Sequence, residues 1–490
     1  MAFSNFQNQN VVPLWYNGQN QPIRQDGVIE IINAAEDRVI HHAQSANISD
    51  ALSAVQFAHD AFDEWSQTPI TNRRAIILKT ADLLEERAVE LGNMQALETS
   101  SVPAYGKFLS HLGAEALREI ASQATTACTG TLPPDSRNLT LITKQAIGPV
   151  MIISPWNSPT ILGSRGIASA LAAGCTVVLK ASELCPATYR MICQCFEDAG
   201  LPKGVLNQVI VRREDSASVT EAIIASPAIR KIEFIGSAAV GKIIGQVCAK
   251  YLKPILMELG GKAAAIVLED ADLESAATSI AFGAFVHHGQ ICMSTERIVV
   301  VEKVAERFSE CLEAAVQKDW GNGAGNAAFL SFANKARRLL QEAKDDGAKF
   351  LVGGIAVDDN KPSLIPSILY DVPQTSTITD TESFSPNAVL YTVPEADAAV
   401  RLVNSSSSGL SGAIWTQDIQ TGLALARKLE AGMVHINGAT VGDIPLMAIQ
   451  GWKSSGWGSN NAAFGITEFL ATKSIVVEPQ GQPPQFAEGL

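Results

Sequence analysis

The sequence predicts an α/β protein built on a doubly wound parallel sheet, and two observations carry this prediction. From about residue 148, short apolar runs alternate with stretches whose apolar residues recur at helical spacing. Strands that alternate with helices of this length are typical of a parallel sheet with helices on both faces. With 490 residues the chain is also too long for one hydrophobic core, so we expect two to three domains.

The first α/β unit is predicted from five apolar runs and the helical patterns between them. Strands are expected in VMIISP (150–155), CTVVLKAS (175–182), VLNQVIV (205–211), KIEFIGS (231–237) and the run PILM that ends before Glu258. Helices are expected at 157–174, closed by Gly174, from Pro186 to Gly200, near 215–226 and from 238 to about 250. A helical region at roughly 49–128 precedes this unit.

A second α/β series follows the segment ELGGK (258–262). AAAIVL (263–268) and RIVVVEKV (297–304) are predicted strands on either side of a helix at 272–288. Two further helices are expected before the strand KFLVGG (349–354). This repetition of the pattern predicts a second α/β domain.

Two short strand patterns stand outside both series. TLITK (140–144) and KSIVVEP (473–479) alternate like strands, and neither has a helix of its own. An isolated strand needs a sheet to join, and another subunit could supply it. We therefore expect a small β element that takes part in oligomerisation.

Composition excludes several classes of protein. The net charge of −13 argues against nucleic acid as a partner, because phosphate binding needs a basic face. No run of 18 or more apolar residues occurs, so we expect no membrane span. The N-terminus, MAFSNFQNQNVVPLWYNGQ, lacks the basic and apolar regions of a secretory signal, which favours a cytoplasmic protein. The eight cysteines show no CxxC pair and no zinc spacing, which predicts reduced thiols and no metal site.

Cys292 differs from the other cysteines in its position. It lies in GQICMSTER (289–297), between a predicted helix and a predicted strand, where a side chain is more accessible than in the middle of a helix. Cys193, Cys195 and Cys311 fall within helical patterns and are predicted to be packing residues. Because a lone cysteine is most often structural, position alone leaves both interpretations open.

Glu258 and Asn157 are the polar residues that could act with such a thiol. Glu258 ends a buried strand, where a carboxylate is unfavourable unless it is hydrogen-bonded or used. A partly apolar cleft would raise its pKa toward that of a general base, and the alternative is a capping or salt-bridged glutamate. Asn157 stands where a strand gives way to a helix, so it could cap the helix, donate its amide to a developing oxyanion, or do both.

Six motifs occur in the order seen in the aldehyde dehydrogenase superfamily, and on them the sequence is identified as a member. They are PWNSP (155–159), KASE (180–183), FIGS with a later glycine (234–237 and 241), ELGGK (258–262), GQICMSTER (289–297) and ESFSP (382–386). The resemblance runs from about Trp15 to Val477. The string FVHHGQICMSTERIVV further resembles the branch of salicylaldehyde, vanillin and benzaldehyde dehydrogenases.

The resemblance implies a fold and a catalytic trio. It implies a Rossmann-type NAD(P)-binding domain at 1–128 and 147–260 and a catalytic domain at 261–445. An oligomerisation element is expected at 129–146 and 470–490, and 446–469 is expected to return to the cofactor-domain side. Cys292 matches the family's nucleophile and Glu258 its general base. Asn157 matches the oxyanion donor, together with the backbone N–H of Cys292.

The resemblance also implies the cofactor site, since no G-x-G-x-x-G pattern is present. Lys180 and Glu183 match the family's adenosine-ribose contacts, and Ser237 with the FIGS turn matches its pyrophosphate site. Glu382 and Phe384 match the residues that contact the nicotinamide end. The full predicted set is Pro155, Trp156, Lys180, Ser182, Glu183, Phe234, Gly236, Ser237, Gly241, Leu259, Gly260, Glu382 and Phe384. The charge of Glu183 would repel a 2′-phosphate, which favours NAD and leaves NADP possible.

The substrate pocket is predicted from one helix and the loops around it. Its expected members are Ile161, Arg165, Ile291, Met293, Trp457 and Phe464. Asn157, Ile161 and Arg165 share a helix face because they are four residues apart. A buried Arg165 needs a partner, which is either a carboxylate that braces the helix or a polar group of the substrate. The second alternative, with the resemblance around Cys292, favours a hydroxylated or otherwise polar aromatic aldehyde.

Three functions are compatible with the motifs. The intact Cys292 and Glu258 favour a hydrolytic aldehyde dehydrogenase, which takes a small-molecule aldehyde as a homodimer or homotetramer. A CoA-acylating relative and a catalytically silent binding or structural protein are the alternatives. Ser385 replaces a glycine usual in the family, and GWKSSGWGSNNAAFG (451–465) keeps only the outline of the family's C-terminal loop. His287 and His288 are predicted to be residues of a helix end.

Overall fold

The computed structural model describes residues 10–134, 139–355, 360–478 and 480. The first nine residues, on which part of the targeting prediction rests, lie outside the described residues, as does most of the predicted segment beyond 478. Among the described residues, no helix combines the length and the apolar character needed to cross a membrane.

The first sheet has eight strands, and its centre is parallel. In spatial order the strands are Gly456–Trp457, Ile255–Leu259, Lys231–Gly236, Val150–Ile153, Val177–Ala181, Leu206–Ile210, Trp15–Tyr16 and Gln19–Asn20. The five strands from Ile255–Leu259 to Leu206–Ile210 are mutually parallel, and antiparallel strands flank them on both sides. All five strands predicted for the first unit are therefore present.

The order of these strands reverses between Val150–Ile153 and Lys231–Gly236. Going outward from Val150–Ile153, the next two strands of the chain lie on one side and the last two on the other. In open parallel sheets, ligands bind at the carboxyl ends of the strands on either side of such a reversal. The structure thus points to the loops after Ile153 and after Gly236 as the start of a ligand cleft.

The helices between these strands follow the predicted boundaries. Helix Pro159–Ala173 begins with proline at its first position and ends at Gly174, whose φ of 97° is left-handed. A Cβ at Gly174 would also meet the guanidinium of Arg73, so glycine is required there twice over. Helix Pro186–Asp198 likewise begins with proline. The other helices of this half are Ile48–Asp60, Phe62–Gln67, Ile70–Glu86, Ala88–Thr99, Pro103–Cys128, Ser216–Ala225 and Ala238–Lys250.

The second sheet has seven strands, and only one edge strand is antiparallel. In order they are Lys349–Val352, Ser367–Tyr370, Asn387–Val393, Thr295–Val301, Ala263–Val267, Ser411–Trp415 and Met433–Ile436. Its helices are Leu273–Phe285, Ala305–Trp320, Leu330–Asp345, Ala396–Asn404 and Ile419–Ala426, and helix Ala462–Glu468 lies in the C-terminal segment. This confirms the predicted second α/β series.

Two boundaries in the second half differ from the prediction. The strand predicted at 297–304 ends at Val301, and Glu302–Val304 forms a 3-10 turn. The helix predicted at 272–288 ends at Phe285, because the next residues leave helical geometry. The loop that carries Cys292 therefore begins earlier than the sequence indicates.

The two isolated strand patterns pair with each other, and the expectation that this sheet continues into another subunit stays a prediction. Leu139–Ala146 and Leu470–Val477 form an antiparallel pair with eight residue pairs in register. Most side chains of Leu470–Val477 are exposed, including Ile475, Val476 and Val477. This two-stranded ribbon is covered by no third strand among the described residues.

The smaller sheets complete the fold. They pair Val11–Val12, Arg38–Gln44 and Val28–Asn33 in one sheet, Ser408–Gly409 with Trp452–Lys453, and Ile449–Gln450 with Ser459–Asn460. Strand Gly456–Trp457 returns from the C-terminal segment to the edge of the first sheet. The domain boundaries derived from the sequence stay predictions.

Candidate active site

The candidate site lies where the first sheet passes into the second. Strand Ile255–Leu259 ends at the carboxyl edge of the first sheet, and only Gly260, Gly261 and Lys262 separate it from strand Ala263–Val267. A Cβ on Gly261 would stand 2.9 Å from the carbonyl oxygen of Cys292, so glycine permits the two loops to approach closely. The connection therefore brings Glu258 and Cys292 into one cleft.

Cys292 lies in a loop whose conformation is fixed by Gln290. The fully buried Gln290 side chain donates to the carbonyls of His287 and Asn326 at 3.1 and 3.2 Å. It also accepts from the N–H of Ala328 at 2.9 Å. Cys292 itself is partly exposed.

Two of the other three cysteines differ from Cys292 in burial. Cys193 and Cys195 are fully buried in the core of the first half, as expected for packing residues. Cys311 is partly exposed like Cys292, but it lies on helix Ala305–Trp320 and packs against a separate core. The accessible position predicted for Cys292 is present in the structure.

The thiol of Cys292 is kept protonated in this state of the protein. Desolvation raises its pKa well above the usual value, and the nearby carboxylates of Glu258 and Glu382 raise it further. The guanidinium of Arg165 acts in the opposite direction and does not outweigh the burial. A thiolate must therefore be formed with the help of a base or of a bound cation.

Asn157 is buried in the loop after strand Val150–Ile153. The structure places Ser158 at the cap position of the next helix, and neither side chain caps it by a hydrogen bond, so the capping interpretation of Asn157 is wrong. The amide nitrogen of Asn157 instead donates to the carbonyl of Gln290 at 3.0 Å. This bond ties Asn157 to the loop of Cys292.

Glu258 is buried and paired. Its Oε2 accepts from the guanidinium of Arg165 at 3.1 Å and from the amide of Asn460 at 3.0 Å. Burial raises the pKa of Glu258, while Arg165 and Asn460 offset part of that rise by favouring the ionised form. A carboxyl with a raised pKa near a partly exposed thiol is suited to general base chemistry.

Arg165 is paired with carboxylates of the chain, which is one of the two alternatives that the sequence left open. It is fully buried on helix Pro159–Ala173 and forms ion pairs with Glu258 and with Asp443, both at 3.1 Å. It also donates to Asn461 at 3.3 Å. The inference that Arg165 is free to bind a polar group of the substrate is therefore wrong, because the chain itself supplies its partners.

Lys180 and its neighbours lie at the carboxyl end of strand Val177–Ala181. Lys180 is nine-tenths buried, and its ammonium makes no hydrogen bond or ion pair shorter than 4 Å with any described residue. Burial lowers its pKa, and the carboxylate of Glu183 opposes that shift. Ser182 is buried and accepts from the N–H of Leu184 at 3.3 Å. Such a cation, held in place without a partner, is a binding group for a ligand hydroxyl or anion.

The FIGS turn forms the N-terminus of a long helix. Ser237 caps helix Ala238–Lys250 by accepting from the N–H of Val240 at 3.4 Å, and Ser237 is exposed. The free N–H groups at such a helix end attract anions. Phe234 is buried, and its ring would collide with a Cβ on Gly236.

Gly241 and Leu259 pack against each other beneath this turn. A Cβ on Gly241 would come within 2.6 Å of Leu259, so the glycine allows helix Ala238–Lys250 to lie close on strand Ile255–Leu259. These two predicted cofactor residues thus shape the floor of the cleft. Gly260 stands beside Glu382, whose carboxylate oxygens leave no room for a side chain there.

Glu382 is the second carboxylate beside Cys292. Its Oε1 accepts from the N–H of Gly261 at 3.2 Å. Burial raises the pKa of Glu382 to about 8, and the neighbouring Glu296 adds to the rise. Glu382 is therefore mostly protonated at neutral pH in this state of the protein.

The ESFSP turn is held by Glu296, a residue that the sequence analysis did not single out. The carboxylate of Glu296 accepts from the N–H groups of Ser383 and Phe384 at 2.9–3.1 Å and pairs with buried Lys262. A bulge in strand Thr295–Val301 leaves Glu296 opposite no single residue of the neighbouring strand, which aims it at the turn. No periodicity in the sequence marks such a bulge.

The replacement at Ser385 is accommodated without strain at that residue. The left-handed residue of the turn is Phe384, with φ of 52°, rather than Ser385. The Ser385 hydroxyl accepts from the amide of Asn387 at 2.6 Å. The serine side chain at position 385 is therefore accommodated with a local hydrogen bond.

Trp156 and Phe384 belong to an aromatic group at the cleft. Trp156 stacks on Phe332 with ring centroids 5.4 Å apart and meets Phe384 edge-on at 5.8 Å. The carbonyl of Pro155 accepts from the hydroxyl of Tyr189 at 2.5 Å, which fixes the start of this loop. Phe332 comes from helix Leu330–Asp345 and could not be found from the motifs.

The predicted substrate pocket is brought together only in part. Ile161 and Ile291 share an apolar cluster, and Ile291, Cys292 and Met293 share a second one. Trp457 is instead 53% exposed and donates its indole N–H to the carbonyl of Ile255 at the sheet edge. Phe464 is 49% exposed and lines a surface cavity of about 410 Å³ with Lys231 and Glu468. The structure does not bring these two aromatic residues to Cys292.

His287 and His288 lie just beyond the end of helix Leu273–Phe285, in an unusual conformation. Both are left-handed, with φ of 52° and 60°, and both are buried. Burial lowers their pKa values to about 3, so both rings are neutral. The ring of His287 stacks on Tyr105 with centroids 4.1 Å apart.

Comparison with known proteins agrees with this geometry. The model of the aldehyde dehydrogenase family matches residues 23–475. A vanillin dehydrogenase of Pseudomonas fluorescens is 39% identical over 95% of this chain and 98% of its own. A benzaldehyde dehydrogenase [NAD(+)] of Pseudomonas putida is 32% identical over 96% of this chain and 98% of its own.

A solved structure shares the whole fold. The crystal structure of a salicylaldehyde dehydrogenase from Pseudomonas putida G7, complexed with salicylaldehyde, has a TM-score of 0.93 and 34% identity. The match covers 97% of this chain and 100% of that chain. The doubly wound sheet, the second α/β sheet and the cysteine between them thus define an oxidoreductase fold. The chain belongs to the aldehyde dehydrogenase family, whose members act on aldehyde groups.

Proposed function

We propose that this protein oxidises an aromatic aldehyde to the carboxylic acid with NAD, through a covalent intermediate on Cys292. The observation that carries the proposal is the position of Cys292, partly exposed between two apolar clusters and with the buried carboxyl of Glu258 nearby. An apolar cleft that ends at a single thiol suits a flat hydrocarbon substrate with one reactive carbonyl.

Acylation requires Cys292 to attack the aldehyde carbon. The sulfur forms a bond to that carbon, the thiol proton goes to a base, and the carbonyl oxygen becomes an oxyanion. The amide of Asn157 and the backbone N–H of Cys292 are the donors that would stabilise it. The amide nitrogen of Asn157 carries two N–H groups: one donates to the Gln290 carbonyl in this structure, and the other would donate to the substrate oxygen.

Deacylation is the step assigned to Glu258. Water adds to the thioester carbon, Glu258 takes a proton from that water, and the bond to sulfur breaks to release the acid. The raised pKa of Glu258 makes it a stronger base than an exposed glutamate. Its ion pair with Arg165 keeps the side chain in a defined place.

The described residues fit a nicotinamide dinucleotide. Lys180 is a buried cation without a partner, and helix Ala238–Lys250 presents its N-terminus at the carboxyl edge of the sheet, beside the strand-order reversal. Glu183 would accept from ribose hydroxyls, and Glu382 and Phe384 would hold the nicotinamide end. When bound, the nicotinamide supplies the acceptor for the hydride that leaves the substrate carbon.

The aromatic substrate class is supported by the relatives rather than by Arg165. The vanillin, benzaldehyde and salicylaldehyde dehydrogenases named above all carry an aromatic aldehyde in their names. The walls formed by Tyr105, Leu109 and Ile161 on one side and by Met293 and Met433 on the other are apolar. An aromatic ring would bury its faces against them.

We also propose that the chain assembles as a homodimer or homotetramer through the ribbon of Leu139–Ala146 and Leu470–Val477. The ribbon exposes the side chains of Ile475, Val476 and Val477 on strand Leu470–Val477, whereas Thr131 bridges strand Leu139–Ala146 at Ile142. An exposed apolar strand edge is a site for pairing with another chain. Light scattering at micromolar concentration should exceed the mass of the 52.0 kDa chain, and a monomer would contradict the proposal.

The substrate panel tests the proposed function most simply. Benzaldehyde, hydroxybenzaldehydes and straight-chain aldehydes are each supplied with NAD and with NADP, and the reduced nicotinamide is read by absorbance. The expected result is the highest kcat/KM with an aromatic aldehyde and NAD. A preference for straight-chain aldehydes would contradict the substrate class, and product formation that depends on CoA would contradict hydrolysis.

A further inference from the structure

A second carboxylate, Glu233, lies buried behind Glu258 and has no role in the steps above. It sits in the middle of strand Lys231–Gly236, and its side chain has no exposed surface. Neither of its oxygens has a hydrogen bond of full geometry among the described residues. A carboxyl in this state is costly to a fold, which makes a purely structural role unfavourable.

The fold makes room for this side chain specifically. Glu233 lies one strand away from Glu258, because residues 232–236 pair in parallel register with residues 255–259. Gly166 faces it from helix Pro159–Ala173, and a Cβ at Gly166 would collide with the Glu233 carboxylate. The residue before that glycine is Arg165, the ion-pair partner of Glu258.

The groups around Glu233 also face Glu258. Arg165 lowers the pKa of both carboxyls, and the amide of Asn460, which donates to Glu258, also favours the ionised form of Glu233. Glu258 and Glu233 are close enough that the charge of Glu258 raises the pKa of Glu233. The cation and the amide that pair with Glu258 thus also stabilise a charge on Glu233, although Glu233 forms no ion pair or full hydrogen bond with them.

The remaining charged and titratable neighbours are few. Lys231 lies on the same strand and is paired with Glu468, and Tyr189 faces Glu233 from helix Pro186–Asp198 with its hydroxyl bonded to Ser154. Burial raises the pKa of Glu233 to about 7, so its charge changes within the working range of an enzyme. Asp443 reaches the group through Arg165.

We propose that Glu233 is a positioning residue for Glu258: it is buried beside Arg165 and Asn460, which pair with Glu258, and ionisation of Glu233 makes Glu258 a stronger base for deacylation. The inference rests on the proposed role of Glu258. When Glu233 becomes negative, its charge repels the ionised form of Glu258, so Glu258 holds a proton more strongly. Glu233 touches neither substrate nor thioester.

The test measures deacylation directly across pH. Enzyme is mixed with NAD and benzaldehyde, samples are quenched in acid over time, and mass spectrometry follows the decay of the acyl group on Cys292 from pH 5 to 9. Two variants are compared with the wild type: Glu233→Gln, which keeps the shape and removes the charge, and Glu233→Asp, which keeps a charge. Urea unfolding of each variant shows whether the fold is retained.

The expected result is a change in the pH profile with the fold retained. In the wild type, the rate of acyl decay should rise in two coupled steps, one of them near neutrality. Glu233→Gln should lose that step and reach a lower rate above pH 8, with the remaining step displaced to lower pH by roughly one unit. Glu233→Asp should restore the second step.

Two results would overturn the inference, and they are distinct from failure of the proposed function. If Glu233→Gln has the same pH profile of acyl decay as the wild type, Glu233 has a structural role only. An equal loss of rate at every pH in both variants would show misplacement rather than coupling. If Glu258→Gln leaves the decay of the acyl group unchanged, the proposed role of Glu258 fails and the inference falls with it.

Discussion

Glu258 and Glu382 are two buried carboxyls that flank the same thiol and differ in their partners. Both raise the pKa of Cys292. Glu258 receives a guanidinium and an amide, whereas Glu382 receives one backbone N–H and has another carboxylate, Glu296, as its neighbour. The comparison shows that burial raises the pKa of both carboxyls, and that the guanidinium and the amide beside Glu258 offset part of this rise.

The largest effect is expected at the thiol that the two carboxyls share. Cys292→Ala removes the atom to which the acyl group binds, so turnover should fall by at least about a thousandfold. Steady-state production of reduced nicotinamide measures it, and the affinity for NAD should be unchanged. Cys311→Ala is the matched control, because this thiol lies on helix Ala305–Trp320, away from the cleft.

Cys292→Ala also has a clear contradicting outcome. If the variant keeps a tenth or more of the wild-type turnover with unchanged cofactor affinity, the nucleophile is another group. Glu258 and Glu382 would then no longer be two carboxyls that flank the reactive thiol.

Glu382, which has no cation as its hydrogen-bond partner, should make the cofactor-free protein less stable at high pH. The pKa of Glu382 is raised from 4.5 to about 8 in the fold, so its stabilising contribution is complete below about pH 4.5 and is lost as pH rises through about 8. The loss is on the order of a few kcal/mol, by the linkage between pKa and stability. Urea unfolding from pH 5 to 9 measures it.

Glu382→Gln sharpens this prediction by removing the titration. The variant should show a flatter dependence of unfolding free energy on pH, and the remaining slope should include Glu233, whose pKa is raised to about 7. The exposed Glu310→Gln is the control and should keep the wild-type slope. Equal slopes in all three proteins would show that Glu382 is not held neutral.

The smallest effect is expected at the far end of the cofactor site. Glu183→Gln removes the charge that would repel a 2′-phosphate, so the ratio of kcat/KM for NAD over NADP should fall by about tenfold. The neighbouring Ser182 is unchanged and uncharged in this variant, so a changed preference between NAD and NADP is due to the charge at position 183. A wild-type enzyme with equal kcat/KM for both cofactors would argue against the role of Glu183.

The sequence predicted the parts of the fold that follow a period. Strands such as Val150–Ile153 and Lys231–Gly236 are continuous apolar runs, and Gly174 marks a helix end because only glycine adopts its backbone angle easily. These features depend on neighbours in sequence.

The partners in the site could not be predicted in the same way. Arg165 was recognised as a buried cation in need of a partner, but Asp443 and Asn461 come from loops more than 270 residues away. Trp457 and Phe464 were placed in the pocket because they are aromatic, whereas pairing of Gly456–Trp457 with Ile255–Leu259 turns Trp457 to the sheet edge. Glu296 escaped notice because its direction depends on a bulge.

The most direct measurement is the acyl state of Cys292 in Glu258→Gln. The enzyme is mixed with NAD and benzaldehyde, quenched in acid, digested and examined by mass spectrometry, with wild type and Glu310→Gln in parallel. The account predicts that the acyl adduct accumulates on the Cys292 peptide and that turnover falls roughly 10²–10⁴-fold, because general base catalysis is lost. An unchanged steady-state rate without an adduct would contradict the assignment of Glu258 as the base.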